Sequence, residues 1–192
     1  MGYSRFMRAK DDKKLPKKNM QDYHLMAEQY RPAKIEYLLI GEAPPPSGVY
    51  FYKPMKLPRI REVEKNQSLP ATIFNHYFKR LPKNDEVYLS LLGALKQRGI
   101  FLVDIIDDPI KVRSRAEGVN PDSIQKIIAG IKTLKARLEQ RDIVIPENRM
   151  TFLLPRQHYV KDIRAEFPNA CRRRWKDFRM NTKACICCAN GN

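Results

Sequence analysis

The sequence predicts an α/β protein with a three-layer α/β/α architecture and a central, mostly parallel sheet. Three short apolar segments, at 35–40, 100–106 and 150–154, suit strands that are buried on both faces. Segments with helical spacing of their apolar residues separate them, so that strands and helices alternate along the chain. This alternation is typical of parallel sheets whose strands are joined by right-handed crossover connections.

Clear stop signals bound the first two predicted strands. Gly41 ends the first, and the prolines at 44–46 cannot continue a central strand or the interior of a helix. The second begins directly after Gly99 and is apolar except for Asp104. Because ligands bind beyond the carboxyl ends of parallel strands, the residues that follow each strand are the first candidates for a functional site.

Apolar periodicity also predicts the helices. The clearest one follows Asn120, a good N-cap, and Pro121, which suits the first helical position. Its apolar stripe includes Ile124, Ile127, Ile131 and Leu134. The predicted helices span 21–29, 71–80, 85–98, 121–138 and 157–166.

Length and composition indicate one folded domain. The chain has 192 residues, of which 43% are apolar, enough for a core and too many for wholesale disorder. We interpret residues 1–34 as a basic N-terminal arm, residues 35–183 as a single α/β domain and residues 184–192 as a flexible, cysteine-containing tail. No apolar run reaches the ~18 to 20 residues that span a bilayer, so we expect no membrane association.

The positive charge predicts a polyanionic partner. The chain has 37 Lys and Arg residues against 21 Asp and Glu residues, a formal net charge of +16. We expect DNA, with RNA as an alternative, because basic surfaces attract phosphate backbones. The predicted phosphate contacts are Arg172, Arg173, Arg174 and Lys176; solvated arginines around a buried Trp175 are an equally open alternative.

The four cysteines predict neither a disulfide framework nor a metal site. They lie at positions 171, 185, 187 and 188, without the paired C-x₂-C spacing of a zinc site. We therefore expect no metal and no cofactor. A basic start without the apolar core of a secretory signal predicts an intracellular protein, cytoplasmic or nucleoid-associated.

Charged residues follow each predicted strand. Glu42 stands at the tip of the first, and Asp104 lies near the end of the second, where a buried carboxyl group requires partners. Arg156 and His158 bring a guanidinium and an imidazole to the end of the third. Bland roles remain open, with Glu42 as a solvated loop acid and His158 as a structural residue at a helix start.

Three consecutive aromatic residues, Tyr50, Phe51 and Tyr52, follow the proline loop. One of these rings can stack on a planar base, a contact typical of proteins that bind single-stranded nucleic acid. The alternative is that Tyr50 and Tyr52 cover the sheet.

The segment Tyr-Leu-Leu-Ile-Gly-Glu-Ala-Pro at 37–44, followed by these aromatics, resembles the first motif of the uracil-DNA glycosylase superfamily. In that family the loop after the first strand positions the attacking water, an aromatic ring stacks on the flipped base, and a polar residue on a later strand reads the base edge. The resemblance implies that Glu42 is the motif acid and that Asp104 is the edge-reading residue. Pro45 replaces a common second glycine, and 156–158 is a degenerate substitute for the family's late His-Pro-Ser-type motif.

The resemblance implies an enzyme that flips a damaged base such as uracil and hydrolyses its N-glycosidic bond. Glu42 or Asp104 would orient or activate water, and His158 would stabilise charge on the leaving base. Gly41, Pro44, Arg156 and the aromatic residues would line the substrate pocket. The alternatives are a non-catalytic nucleic-acid-binding module on the same fold, or a hydrolase or transferase that acts on a nucleotide. We expect a monomer.

Overall fold

The computed structural model describes residues 20–44, 50–53, 68–110, 113–114, 118–146, 148–154 and 159–174. The strands are β1 (Tyr37–Gly41), β2 (Ile100–Asp104), β3 (Arg113–Ser114), β4 (Gly118–Val119), β5 (Met150–Leu154) and β6 (Cys171–Arg174). The main sheet contains four of them, all parallel, in the order β2-β1-β5-β6. The other two, β3 and β4, form a separate antiparallel pair. The predicted α/β class and the parallel pairing of the three predicted strands are confirmed, whereas the three-layer arrangement stays a prediction.

Five helices accompany the sheet in the described part of the chain. They are α1 (Met20–Glu28), α2 (Leu69–Phe78), α3 (Asp85–Gln97), α4 (Pro121–Gln140) and α5 (Val160–Glu166). Each lies within three residues of its predicted bounds, except that residues 157–158 fall outside the described residues. No described helix is long and apolar enough to cross a membrane.

Helix α4 begins and packs as its sequence predicts. The Asn120 side chain accepts hydrogen bonds from the backbone N–H groups of Asp122 and Ser123, at 3.0 and 3.4 Å, and so caps the first turn. The apolar stripe is buried at Ile127, Ile131, Leu134 and Leu138 and partly buried at Ile124.

Helix α1 belongs to the folded domain. Tyr23 and Ala27 are buried in the core, although the sequence analysis assigned this segment to a basic arm. Burial of these two side chains stabilises the packing of α1 on the core, although the charged residues around them favour water. The domain therefore extends N-terminal of the predicted boundary at residue 35; residues 1–19 and the tail at 184–192 lie outside the described residues.

Strand β6 was not predicted. Its residues pair in parallel with β5, from Thr151 opposite Cys171 to Leu154 opposite Arg174. The run of arginines directed the sequence analysis towards phosphate contacts, whereas their backbone forms the edge strand opposite β2. Cys171 is buried and disulfide-bonded, a feature that the cysteine spacing did not predict.

A tyrosine covers the outer edge of β2. Leu102 N–H donates to the Tyr52 hydroxyl at 2.7 Å, and the same hydroxyl donates to the Leu102 carbonyl oxygen at 3.0 Å. Because β2 lies at the edge of the sheet, these backbone groups have no strand partner there. The Tyr52 hydroxyl replaces that partner, which fixes the loop containing Tyr52 against the strand.

Two helical glycines give opposite expectations for substitution by alanine. At Gly93 in α3, an added Cβ would meet nothing within 4 Å. At Gly130 in α4, it would overlap the Ile106 Cγ2 methyl and approach the Ile105 Cγ2 methyl to 2.9 Å. Helix α4 therefore uses Gly130 to approach the chain that leaves β2.

We expect Gly93→Ala to stabilise the protein by about 0.5 to 1 kcal/mol, because alanine is the better helix former. Gly130→Ala has the same gain in propensity, but its methyl group forces α4 and Ile106 apart at a cost of roughly 1 to 3 kcal/mol. Urea unfolding of both variants measures the difference. A Gly130→Ala protein as stable as Gly93→Ala would contradict the close packing of α4.

Candidate active site at the carboxyl edge of the sheet

Strands β1 and β2 end side by side. Gly41 lies opposite Asp104 in the parallel register. The hydrogen bonds continue beyond this pair, from Ile105 N–H to the Gly41 carbonyl at 2.9 Å and from Ile106 N–H to the Glu42 carbonyl at 3.3 Å. Since parallel neighbours lie about 4.8 Å apart, Glu42 and Asp104 leave the sheet at one edge. Both residues lie at the carboxyl edge of the sheet, whereas a pocket lined by both carboxyl groups stays a prediction.

The Asp104 side chain requires glycine at position 41. A Cβ added to Gly41 would overlap Asp104 Oδ1, so the carboxyl group lies directly against the backbone of β1. Any larger residue at position 41 would displace that carboxyl group. Gly41 therefore allows the Asp104 carboxyl group to approach the β1 backbone closely, as a glycine in a strand often does.

Asp104 is a buried acid with an unusual proton affinity. Asp104 is 8% exposed, and its backbone carbonyl oxygen accepts a hydrogen bond from Arg137 at 2.7 Å. Burial, followed by repulsion from Asp107 and from Glu42, raises the pKa of Asp104 to about 7, while Arg137 and Arg141 oppose the rise. Near neutral pH both the acid and the carboxylate are therefore populated.

The Glu42 side chain is hydrogen-bonded by a residue of the segment that follows β5. The Tyr159 hydroxyl donates to Glu42 Oε1. Tyr159 is fully buried and occupies the N-cap position of α5, shortly after β5. Residues from the exits of β1, β2 and β5 thus meet at one place, as the rule for parallel sheets predicts.

A network of ion pairs and hydrogen bonds stabilises the end of β2 and the loop that follows it. Arg137 donates to the Asp104 carbonyl oxygen at 2.7 Å and to the Asp107 carboxylate at 3.1 Å. Arg141 lies 3.9 Å from Asp107 and donates to Glu28 of α1 at 2.9 Å. These charged residues connect α1, the end of α4 and the loop after β2.

This network was not predicted, and neither Asp107 nor the two arginines of α4 had an assigned role. The available signal was the spacing of Arg137 and Arg141 by one helical turn at the end of a helix whose other face is apolar. Their partners are distant in sequence, so only the folded chain identifies them.

The three consecutive aromatic residues all lie in the core. The Phe51 carbonyl accepts from the Tyr88 hydroxyl at 2.7 Å, and the Tyr52 hydroxyl bonds Leu102. Burial raises the pKa of both the Tyr50 and the Tyr52 hydroxyl, and the charge of Asp104 adds to the rise in each. None of the three rings is therefore exposed for stacking on a base.

The other predicted site residues have these positions. Pro44 is buried beside the site loop. Arg156, His158 and Lys176 lie outside the described residues. Arg172, Arg173 and Arg174 form the backbone of β6 at the far edge of the sheet. No group of three or more metal-ligating side chains occurs among the residues that the structure describes.

The raised pKa of Asp104 makes stability depend on pH. Between its ordinary value of 3.8 and about 7 the folded state binds more protons than the unfolded state, so stability is lost as pH rises through this range. The difference between these two pKa values corresponds to roughly 4 kcal/mol in the free energy of unfolding. Asp104→Asn removes this titration, so its stability relative to wild type should increase by about that amount from pH 4 to pH 8.

Urea unfolding at the two pH values measures this difference. Asp108→Asn is the control, because Asp108 is an exposed aspartate in the loop after β2. This control should follow the wild-type pH dependence. If Asp104→Asn also did so, Asp104 would not be the buried acid described above.

Comparison with protein-family models, with curated proteins and with solved structures finds no match to this chain. The resemblance to the uracil-DNA glycosylase superfamily thus rests on the motif at 37–44 and on the aromatics at 50–52.

Proposed function

We propose that the protein hydrolyses the N-glycosidic bond of a damaged base in DNA. The observation that carries this proposal is the pair of carboxyl groups at one sheet edge, of which Asp104 has a pKa of about 7. Two neighbouring acids in different environments are suited to different roles in one reaction, one as proton donor and one as base. Hydrolysis of a glycosidic bond uses such a pair.

Each carboxyl group has a role in this reaction. A water oxygen bonds to C1′ of the sugar while the bond from C1′ to the base nitrogen breaks. Asp104 in its acid form donates a proton to the departing base, and Glu42 as carboxylate accepts a proton from the attacking water. The products are the free base and an abasic sugar with a hydroxyl group at C1′, so atoms and charge balance.

The nucleic-acid part of the proposal is supported by charge. The net charge of +16 favours a phosphate backbone over a neutral or cationic partner. We assign the backbone contacts to Arg156, Lys176 and the arginines of β6, and the electrophilic support of the leaving base to His158. Such contacts position the nucleic acid, while the groups at the sheet edge act on the base.

The test is incubation with DNA duplexes and single strands that contain uracil or hypoxanthine, followed by alkaline cleavage at abasic sites. We expect base release by the wild type, and a loss of roughly 10² or more in rate for Glu42→Gln, the scale of acid–base assistance. DNA affinity of this variant should stay within about twofold of wild type, because no phosphate contact is removed.

The pH profile provides a second check of the roles. The rate should fall as pH rises above about 7, because Asp104 loses the proton that it donates. Asp108→Asn should retain wild-type rates and serves as the matched control. A wild type that binds DNA and releases no base from any of these substrates would favour the non-catalytic binding module.

A further inference from the structure

The amino edge of the sheet lies at the opposite end of β1 from the candidate active site. The starts of β1 and β2 are joined there, because the N–H groups of Glu36 and Tyr37 both donate to the Gly99 carbonyl oxygen, at 2.8 and 3.1 Å. Five residues of extended strand at about 3.3 Å per residue place this edge roughly 16 Å from the carboxyl edge. A surface at the amino edge is therefore separate from the proposed reaction centre.

A cavity of about 620 Å³ opens at this edge, between the segment before β1 and the end of α3. Its described lining includes three basic residues, Lys34, Lys96 and Arg98, and one acidic residue, Glu36. Gly93 of α3 also lines the cavity, and a Cβ added there would meet nothing within 4 Å. The small residue at this position thus leaves room in the cavity for a ligand.

Arg98 connects the cavity to the end of α2. Its guanidinium donates to the Tyr77 carbonyl oxygen at 2.9 Å and lies 4.6 Å from the centroid of the Phe78 ring. Two exposed basic residues, Lys79 and Arg80, follow Phe78 directly. The cavity and the end of α2 form one surface, which we call the amino-edge surface; its basic members are Lys34, Lys79, Arg80, Lys96 and Arg98.

The charge of the amino-edge surface favours an anion. Helices α2 and α3 both end there, and each helix C-terminus has an effective charge of about −0.5. The Glu36 carboxylate adds a negative charge, but Lys34 and Arg149 pair with it at 2.6 and 2.7 Å. The five basic side chains are all exposed, Lys34 by 83%, and they outweigh these negative groups.

Aromatic rings among the basic residues indicate which anion the surface fits. Tyr77 and Phe78 are half-buried, and the His76 ring makes an edge contact with Tyr77 at 4.8 Å between centroids. Bases of a single strand stack on such rings, while basic side chains follow the phosphates. Bases of a duplex are already stacked on each other, so a single strand uses this surface better than a duplex does.

We propose that the amino-edge surface binds single-stranded DNA. The basic side chains contact the phosphates, one base enters the cavity beside Gly93, and another stacks at the end of α2 on Tyr77 or Phe78. This binding does not depend on base hydrolysis, because the surface lies at the other end of β1 from Glu42.

The first experiment measures the binding of a fluorescent oligothymidine of about twenty nucleotides by anisotropy, at several salt concentrations. Lys34→Gln combined with Arg80→Gln removes one charge near the cavity and one at the end of α2, and should weaken binding about tenfold. The loss of two phosphate contacts should also flatten the slope of log affinity against log salt concentration by about 1.4.

Lys126→Gln combined with Lys132→Gln is the matched control. Both lysines are exposed on α4, and neither belongs to the amino-edge surface. The control protein loses the same net charge, so it should keep the wild-type affinity within about twofold and the wild-type salt slope. Equal binding by the two double variants would overturn the surface, because net charge alone would then explain the attraction.

The second experiment fills the cavity without a change of charge. Gly93→Gln places a side chain where an added Cβ meets open space, and glutamine is the better helix former, so the variant should fold. We expect it to weaken oligothymidine binding at least about fivefold and to leave the salt slope unchanged. Ser90→Gln, at an exposed position one turn earlier in α3, should bind as the wild type does. Wild-type affinity of Gly93→Gln would overturn the assignment of a base to the cavity.

Unlabelled competitors identify the kind of partner. A DNA duplex and inorganic polyphosphate, both of the same chain length as the oligothymidine, carry phosphate charge without unstacked bases. Each should compete at least about tenfold less well than unlabelled oligothymidine, because stacking on the aromatic rings is lost. A duplex or polyphosphate that competes equally well would overturn the assignment to single strands.

These measurements need no catalysis. Oligothymidine binding that depends on Lys34, Arg80 and the cavity beside Gly93, without base release from DNA, would uphold the surface and refute the hydrolysis. Base release with wild-type binding by these variants would do the reverse.

Discussion

The contact between Gly41 and the Asp104 carboxyl group is the constraint on which the site depends. The parallel register sets these residues opposite each other, and the absence of a side chain at position 41 lets the carboxyl group lie on the backbone of β1. Glu42 then follows at the same edge, where Tyr159 holds its carboxyl group. Arg137 fixes the other side by binding the Asp104 carbonyl oxygen and the Asp107 carboxylate.

The arrangement is unfavourable for stability and favourable for proton transfer. A buried carboxyl group is destabilised as an anion, and the raised pKa of Asp104 is the expression of that penalty. The charge of Asp107 increases it, while Arg137 and Arg141 limit it. Other interactions of β2 offset this local destabilisation. The strand is buried along its length, and the Tyr52 hydroxyl bonds the N–H and carbonyl groups of Leu102 at its outer edge.

Sequence reasoning was most successful where local pattern and tertiary packing agree. The apolar segments predicted the strands because burial on both faces removes alternation, and Asp104 was conspicuous as the one polar residue in its segment. It failed where partners are distant in sequence or where composition misleads. The Arg137–Asp107 and Arg141–Glu28 pairs depend on how α1 and α4 pack, and the arginine run at 172–174 concealed an edge strand.

An NMR titration of the Asp104 side-chain carboxyl carbon in the full chain, with the resonance assigned by its absence in Asp104→Asn, measures the acid at this sheet edge. It requires neither substrate nor activity. We expect a midpoint near 7, because burial and Asp107 disfavour the anion. A midpoint near the ordinary value of 3.8 would mean that Asp104 is ionised at neutral pH, and the assignment of acid and base at this sheet edge would be wrong.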